Sequence, residues 1–285
     1  MQEISEQIYI EVGYPGVTLA AINWPHGLIL IDSPLRPEDT RAWRSALLNL
    51  GGGVDRVLIN LDAHPDRTLG TRAMECTVIG HEKMAHVFRN RPTTFKAQGA
   101  ETGADWELYN GLGSIRWAPP DVTFSDKLEI HWNSTPMVLE YHPGPAIGAI
   151  WAVIPDHKVV FVGDAVVPNQ PPFLAGADLP AWIETLHKLA STTYQNYLIV
   201  NGRNGLITQK QVRQQIDFLT EVQKRLTALV EAKGTVEETS HFVPALLREF
   251  NFTADHRWQY ASRLKWGLAH YFTRHYSAVN DEVDE

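Results

Sequence analysis

Cysteine is almost absent from this chain. Cys76 is the only one in 285 residues, so no internal disulfide can form. No run of apolar residues approaches the about 20 that a bilayer-spanning helix needs. No basic segment followed by an apolar stretch marks a secretory leader, and with a lone thiol this predicts a reducing cytoplasm. Cys76 leads into Thr77-Val78-Ile79, so a buried, inert thiol is predicted rather than a nucleophile. Positive charge is also scarce: 25 Lys and Arg stand against 33 Asp and Glu, a net charge of −8, with the basic residues scattered. That excludes the basic patches that bind nucleic acid or an anionic membrane surface. The one dense acidic run, 281–285, reads as a solvated end. Internal repeats and low-complexity segments are missing as well.

With 44% hydrophobic and 20% charged residues, the chain has the composition of a globular protein large enough for one big domain or two small ones. Ile8–Val12, Val17–Ile22 and Leu28–Ile31 pattern as strands, the last two as a hairpin that ends at Asp32-Ser33-Pro34. Pro37-Glu38-Asp39 opens a helix that stops at Gly51. Gly51-Gly52-Gly53 then leads into a buried strand, Val54–Leu61. A short helix over Asp66–Glu75, a strand at Thr77–Ile79 and a helix over His81–Arg89 follow. Residues 90–120 are glycine-rich (Gly99, Gly103, Gly111, Gly113) and read as an irregular excursion, partly helical near Asp105–Tyr109. A second group of strands covers Val122–Trp132, Met137–Tyr141, Ala149–Ile154 and Val159–Val162. A helix is expected over Asp178–Ala190, with Trp182, Leu186 and Leu189 on its buried face, and a last strand at Tyr197–Val200.

From there the pattern is helical. Val212, Ile216, Leu219, Val222, Leu226 and Leu229 form one apolar stripe. Val236–Phe250 is expected as a second helix, and His256–His275 as a third with Trp258, Ala261, Leu264, Leu268, Tyr271 and Phe272 along it. Trp258, Trp266, Tyr271 and Tyr276 read as helix packing rather than a ligand box. The stripes exceed what a thin terminal layer needs, which predicts a homodimer.

The densest polar cluster is Asn60–Gly70, "NLDAHPDRTLG", at the end of the Val54–Leu61 strand. Asp62, His64, Asp66 and Arg67 fall within six residues, and strand ends are rigid mounts for chemistry. The cluster resembles the His-x-His-x-Asp-His motif of the metallo-β-lactamase superfamily, with Asp62 and Arg67 at two of the His positions. Further landmarks agree in order: "LILIDSP" at Leu28–Pro34, "VIGH" at Val78–His81, the Gly163-Asp164 pair, "AWIETLHKL" at Ala181–Leu189, and Asn201–Gly205 where the family has Gly-His-Gly. The resemblance runs from Ile8 to Ile207. It implies a four-layer αββα sandwich of two mixed sheets over residues 1–207, with residues 208–285 as a helical extension.

The departures bear on function. Where the family has Pro-Gly-His-Thr-x-Gly-Ser, Tyr141–Ala149 places Pro145, or in a shifted register Ile147, at the ligand position. The last family His is Arg203. By resemblance, the first metal position retains Asp62, His64 and Asp164, and the second only Asp66 and Asp164 facing two arginines. Guanidinium has no lone pair to give a metal, but it pairs well with carboxylates. Arg67 and Arg203 are therefore expected to neutralise Asp66 and Asp164 where a dication would sit, with donors to spare for an anionic ligand. The dinuclear zinc centre is not expected.

Three functional classes stay open: a ligand-binding member with a degenerate site and no cofactor; a hydrolase of esters, thioesters, lactams or phosphodiesters using one weakly held divalent metal (Fe, Mn or Zn) on Asp62, His64 and Asp164; and a metal-free hydrolase. In the last, His64 is the base, Arg67 and Arg203 clamp the substrate, and Asp66 belongs to the same catalytic set. His81, His142 and Tyr141 are candidates to line the same cleft. His86, His131, His187 and His256 form no ligand-spaced set.

Overall fold

The computed structural model describes residues 1–51, 53–96 and 102–277. Gly52, Gly99 and the acidic run at 281–285 lie outside the described residues.

The first sheet takes its seven strands in chain order: β1 (Gln2–Ser5), β2 (Ile8–Glu11), β3 (Leu19–Asn23), β4 (Gly27–Ile31), β5 (Asp55–Ile59), β6 (Thr77–His81) and β7 (Val122–Phe124). It is antiparallel from β1 to β4 and parallel from β4 to β7. The second sheet runs β8 (Lys127–Ile130), β9 (Met137–Tyr141), β10 (Ile150–Ile154), β11 (Val159–Phe161), β12 (Leu198–Asn201), β13 (Gly205–Ile207). In it β11 pairs with β12 in parallel, and the other neighbouring strands pair antiparallel. The helices are α1 (Pro37–Leu47), α2 (Pro65–Thr68), α3 (Glu82–Arg89), α4 (Leu179–Leu189), α5 (Gln209–Glu231), α6 (Val243–Leu246) and α7 (Arg257–Phe272).

Alternation along the strands builds the layers, because successive strand residues face opposite sides. In β4, Ile29 and Ile31 enter a core between the sheets, where they meet Leu139, Ile150, Ala152 and Phe161. Leu28 and Leu30 face the other way, onto Trp43 and Leu47 of α1. In β10, Ala152 points inward while Trp151 and Val153 pack on Trp182, Leu186 and Leu189 of α4, all three fully buried. The αββα sandwich and the buried face of α4 are as the sequence predicts.

Several details differ. The expected strand Val122–Trp132 is two strands in different sheets: Ser125 and Asp126 interrupt it, β7 closing the first sheet and β8 opening the second. Strand β1 is polar and exposed, and β13 is three residues long, so neither leaves an apolar pattern to read. The expected helix over Asp66–Glu75 is α2 followed by a 3-10 turn, Thr71–Met74. Val236–Phe250 is broken into α6 between 3-10 turns, with Pro244, which lacks an N–H, at its start. The α5 stripe and Leu264, Leu268, Tyr271 and Phe272 of α7 are buried together with α4 in one core. Apart from the exposed Trp258, the apolar stripes pack within the chain. Among the described residues no helix is long and apolar enough to cross a membrane.

Candidate functional site

The motif follows β5, and two short segments fix its backbone. Asp32, in the left-handed region at φ 58°, takes the Leu61 N–H on Oδ1 at 3.0 Å. Ser33 Oγ donates to the Arg67 carbonyl at 3.0 Å, and Asn60 Nδ2 donates to the same carbonyl at 3.2 Å. The chain therefore leaves the strand in one defined path. Pro65 then starts α2, with His64 as its N-cap: Nδ1 accepts from Asp66 N at 3.4 Å.

Arg67 is fully enclosed. Its Nη1 donates to Asp32 Oδ2 at 2.9 Å, and its Nη2 to Asp164 Oδ1. Its Nε lies 3.1 Å from Asp62 Oδ1, an ion pair without hydrogen-bond geometry. Gly202 makes room for it, since a Cβ there would fall 2.5 Å from Nη1 and 2.8 Å from Nη2. Arg203 forms the second half of the network. Its Nε is 3.1 Å from both Asp164 oxygens, and Nη2 donates to Asp164 Oδ2 at 2.9 Å. Nη1 reaches Asp66 Oδ2 at 3.1 Å and Asp105 Oδ2 at 2.7 Å. From α7, Gln259 Nε2 donates to Asp105 Oδ1 at 3.1 Å, and Arg263 Nη2 stands 3.8 Å from Asp105 Oδ2. The Phe173 ring lies under both Arg203, at 4.7 Å, and Arg263, at 4.1 Å.

Five aspartates face three arginines, a formal net charge of −2 for the cluster. Burial pushes Asp32 and Asp66 up to about 6, against the pull of Arg67 and Arg203 respectively. Burial also raises Asp62, opposed by Arg67. Asp164 is buried too, but Arg203 and Arg67 together hold its carboxyl far below the usual range. His64 is pushed well below the ordinary imidazole value by burial and then by Arg203. It is therefore neutral at pH 7. Burial brings Arg263 down to about 10.

Arg67 and Arg203 pair with Asp66 and Asp164, the two expected carboxylates, and with three more aspartates besides. Arg203 takes both Asp66 and Asp164, while Arg67 takes Asp164 with Asp62 and the unforeseen Asp32. The expected spare donors do not face the adjoining cavity: Arg67 and Arg203 are both buried, and their nitrogens are turned toward carboxylates inside the protein. Asp62, His64 and Asp164 do not form the expected metal set. The Arg67 guanidinium touches both carboxylates, and Asp62 Oδ1 also accepts the His64 N–H at 2.7 Å. Among the described residues no group of three or more His, Cys, Asp or Glu is arranged to hold a metal.

His81 and His142 are held elsewhere. His81 Nε2 is 2.6 Å from Ser125 O and the ring stacks on Tyr141 at 4.1 Å. His142 stacks on Trp151 at 3.7 Å with Nε2 3.0 Å from Glu140 Oε2. Neither lines the cavity that opens beside the network. That cavity, about 310 Å³, is walled by His64, Val87, Arg91, Trp106, Phe173 and Trp266, among others, and both Pro145 and Ile147 lie on it. Trp266 thus faces the cavity rather than packing in the core, and Trp258 is exposed. Asp105, Arg263 and Phe173 could not be found from the sequence, because no local pattern ties them to the motif.

Residues 74–198 match the family model described as "Metallo-beta-lactamase superfamily". The two mixed sheets, the helices outside them and the order of landmarks agree with it. That match covers 125 of the 285 residues, under half of the chain, so the chain is similar to the metallo-β-lactamase superfamily over this stretch. Similar solved structures include a metallo-beta-lactamase from Pontibacter korlensis, at 19% identity and a TM-score of 0.61 over 77% of this chain and 97% of that one. A metallo-beta-lactamase family protein from Thermus thermophilus matches at 21% identity and a TM-score of 0.62, over 95% of this chain and 94% of that one. The stereoselective inverting sec-alkylsulfatase Pisa1 from Pseudomonas sp. matches at 16% identity and a TM-score of 0.71, over 96% of this chain but 50% of its own length. These likenesses establish the fold. A search of curated proteins finds no match. The superfamily binds divalent metals, and the residues here do not fit two of them, because two fixed cations already occupy the carboxylates.

Proposed function

We propose that this chain is a metallo-β-lactamase superfamily protein that works without the dinuclear zinc centre and uses its cleft to bind a small molecule. The observation that carries this reading is Arg67: enclosed, and spread over Asp32, Asp62 and Asp164. A dication beside it and Arg203 would be repelled in a site with little water to screen the charges. The two arginines also remove the unpaired buried carboxylates that would otherwise favour metal binding. Elemental analysis of protein purified without chelators tests this directly. Less than stoichiometric zinc is expected, and two equivalents would overturn the reading. Restoring a dinuclear site should need Asp62→His, Arg67→His, Pro145→His and Arg203→His together, since each change alone leaves missing ligands or a repelling cation.

A second reading, hydrolysis, draws on the sec-alkylsulfatase likeness, which extends over nearly the whole chain. Its test is turnover of an ester, thioester, lactam, phosphodiester and sulfate-ester panel. Activity lost in His64→Ala would favour it over binding alone.

A further inference from the structure

We propose that the cavity beside the arginine network takes a neutral, one- or two-ring apolar molecule carrying a hydrogen-bond acceptor, and that His64 Nε2–H holds that acceptor. This rests on the metal-free reading above.

The His64 ring stands on the cavity wall. Its Nδ1 faces two donors at 3.4 Å, the Asp66 N–H and Arg203 Nη2. Asp66 Oδ2 is also 3.4 Å from Nδ1, but that oxygen accepts from Arg203 Nη1. A neutral imidazole carries one proton, so two donors at Nδ1 put the lone pair there and the proton on Nε2. Among the described residues Nε2 has no hydrogen-bond partner. Phe173, 4.4 Å from the ring, supports it from the side. His64 therefore offers the cavity a donor. It has no lone pair at Nε2 with which to act as a base.

The walls select the rest of the ligand. Val87, Trp106, Ile147, Phe173 and Trp266 present carbon, and about 310 Å³ is at the small end of ligand-pocket sizes, suiting a compact ring system. Thr102 is on the wall too, but its N–H and hydroxyl both donate to Glu107. An anion is disfavoured. The adjoining cluster has a formal charge of −2, and its arginines are turned onto aspartates. Among the described residues Arg91 is the cation on the wall. Its Nη1 donates to Ala63 O at 2.9 Å, and its guanidinium lies over the Trp117 ring at 5.0 Å and the Phe88 ring at 5.5 Å.

The test uses the full chain, after elemental analysis, and three probes of one shape: methyl 2-naphthoate, the 2-naphthoate anion and 2-ethylnaphthalene. Affinities are read by titration. The ester should bind about tenfold more tightly than either the anion or the hydrocarbon, the effect of one hydrogen bond. His64→Phe should lower the ester to the hydrocarbon's affinity and leave the hydrocarbon within about twofold. Because that change also touches Arg203, a second readout uses unmodified protein: the long-range 1H–15N spectrum at pH 7 should show His64 as the Nε2–H tautomer. An anion that binds as well as the ester, an ester no better than the hydrocarbon, binding of none of the three, or an Nδ1–H tautomer would each overturn the proposal. Two equivalents of zinc would instead overturn the reading beneath it, so the two failures are distinguishable.

Discussion

Arg67 Nη1 lies 2.9 Å from Asp32 Oδ2, and both side chains are wholly enclosed. A residue of the motif is thereby tied to the turn that ends β4. Burying either charge alone would be costly, so the stability of this region depends on the pair being complete. Arg67→Ala should destabilise the protein by about 3–5 kcal/mol, since three carboxylates lose their shared cation. Arg67→Lys should recover only part of that, because one ammonium cannot span three carboxylates as the guanidinium fork does. Denaturant unfolding of the three proteins checks it, and equal midpoints would show the network to be incidental.

Gly202 makes the same point from the other side. A methyl group there would meet both terminal nitrogens of Arg67 and, at 2.9 Å, Asp164 Oδ1. Gly202→Ala should cost about 1–3 kcal/mol, the usual range for overpacking a filled interior. An alanine variant as stable as the parent would mean the guanidinium is free to move aside.

The raised aspartates set a pH dependence of definite sign. Asp66 is 3.8 ordinarily and about 6 in the fold, so between pH 4 and 6 the folded state holds more protons than the unfolded one. Stability from this group is full below pH 4 and is lost as pH rises through 6. His64 works the other way near its ordinary value of 6.5: its pKa is lowered, so the unfolded state binds the extra proton and stability rises with pH there. The comparison that isolates Asp66 is Asp66→Asn, which cannot titrate. Relative to that variant, the parent should lose up to about 3 kcal/mol between pH 4 and 6, two pKa units at 1.36 kcal/mol each. Parallel stability–pH curves would rule the effect out.

Leu186, fully buried with Trp182 and Leu189 on α4, reports on the core beneath the second sheet. Leu186→Ala should cost about 2–5 kcal/mol, the transfer term plus the cavity left behind. Unfolding with an unchanged midpoint would contradict this packing.

The sequence by itself determined the layers of this protein. The continuous apolar run Leu28–Ile31 and the spacings of four and three in Trp182, Leu186 and Leu189 are local patterns, and the burial they encode is the burial found. It also determined that arginines stand where metal ligands are expected, because residue identity is written directly in Arg67 and Arg203. Only the tertiary structure decided what those arginines hold. Asp32 is 35 residues from Arg67, Asp105 is 98 from Arg203, and Asp66 is 137 from Arg203. Guanidinium pairs with any carboxylate that packing brings within reach, so no local spacing can name the partner. For the same reason Arg263, Phe173 and Trp266 were illegible in the chain. They join the site because α7 and the loop before α4 fold back over the motif, bringing together side chains that no sequence period relates.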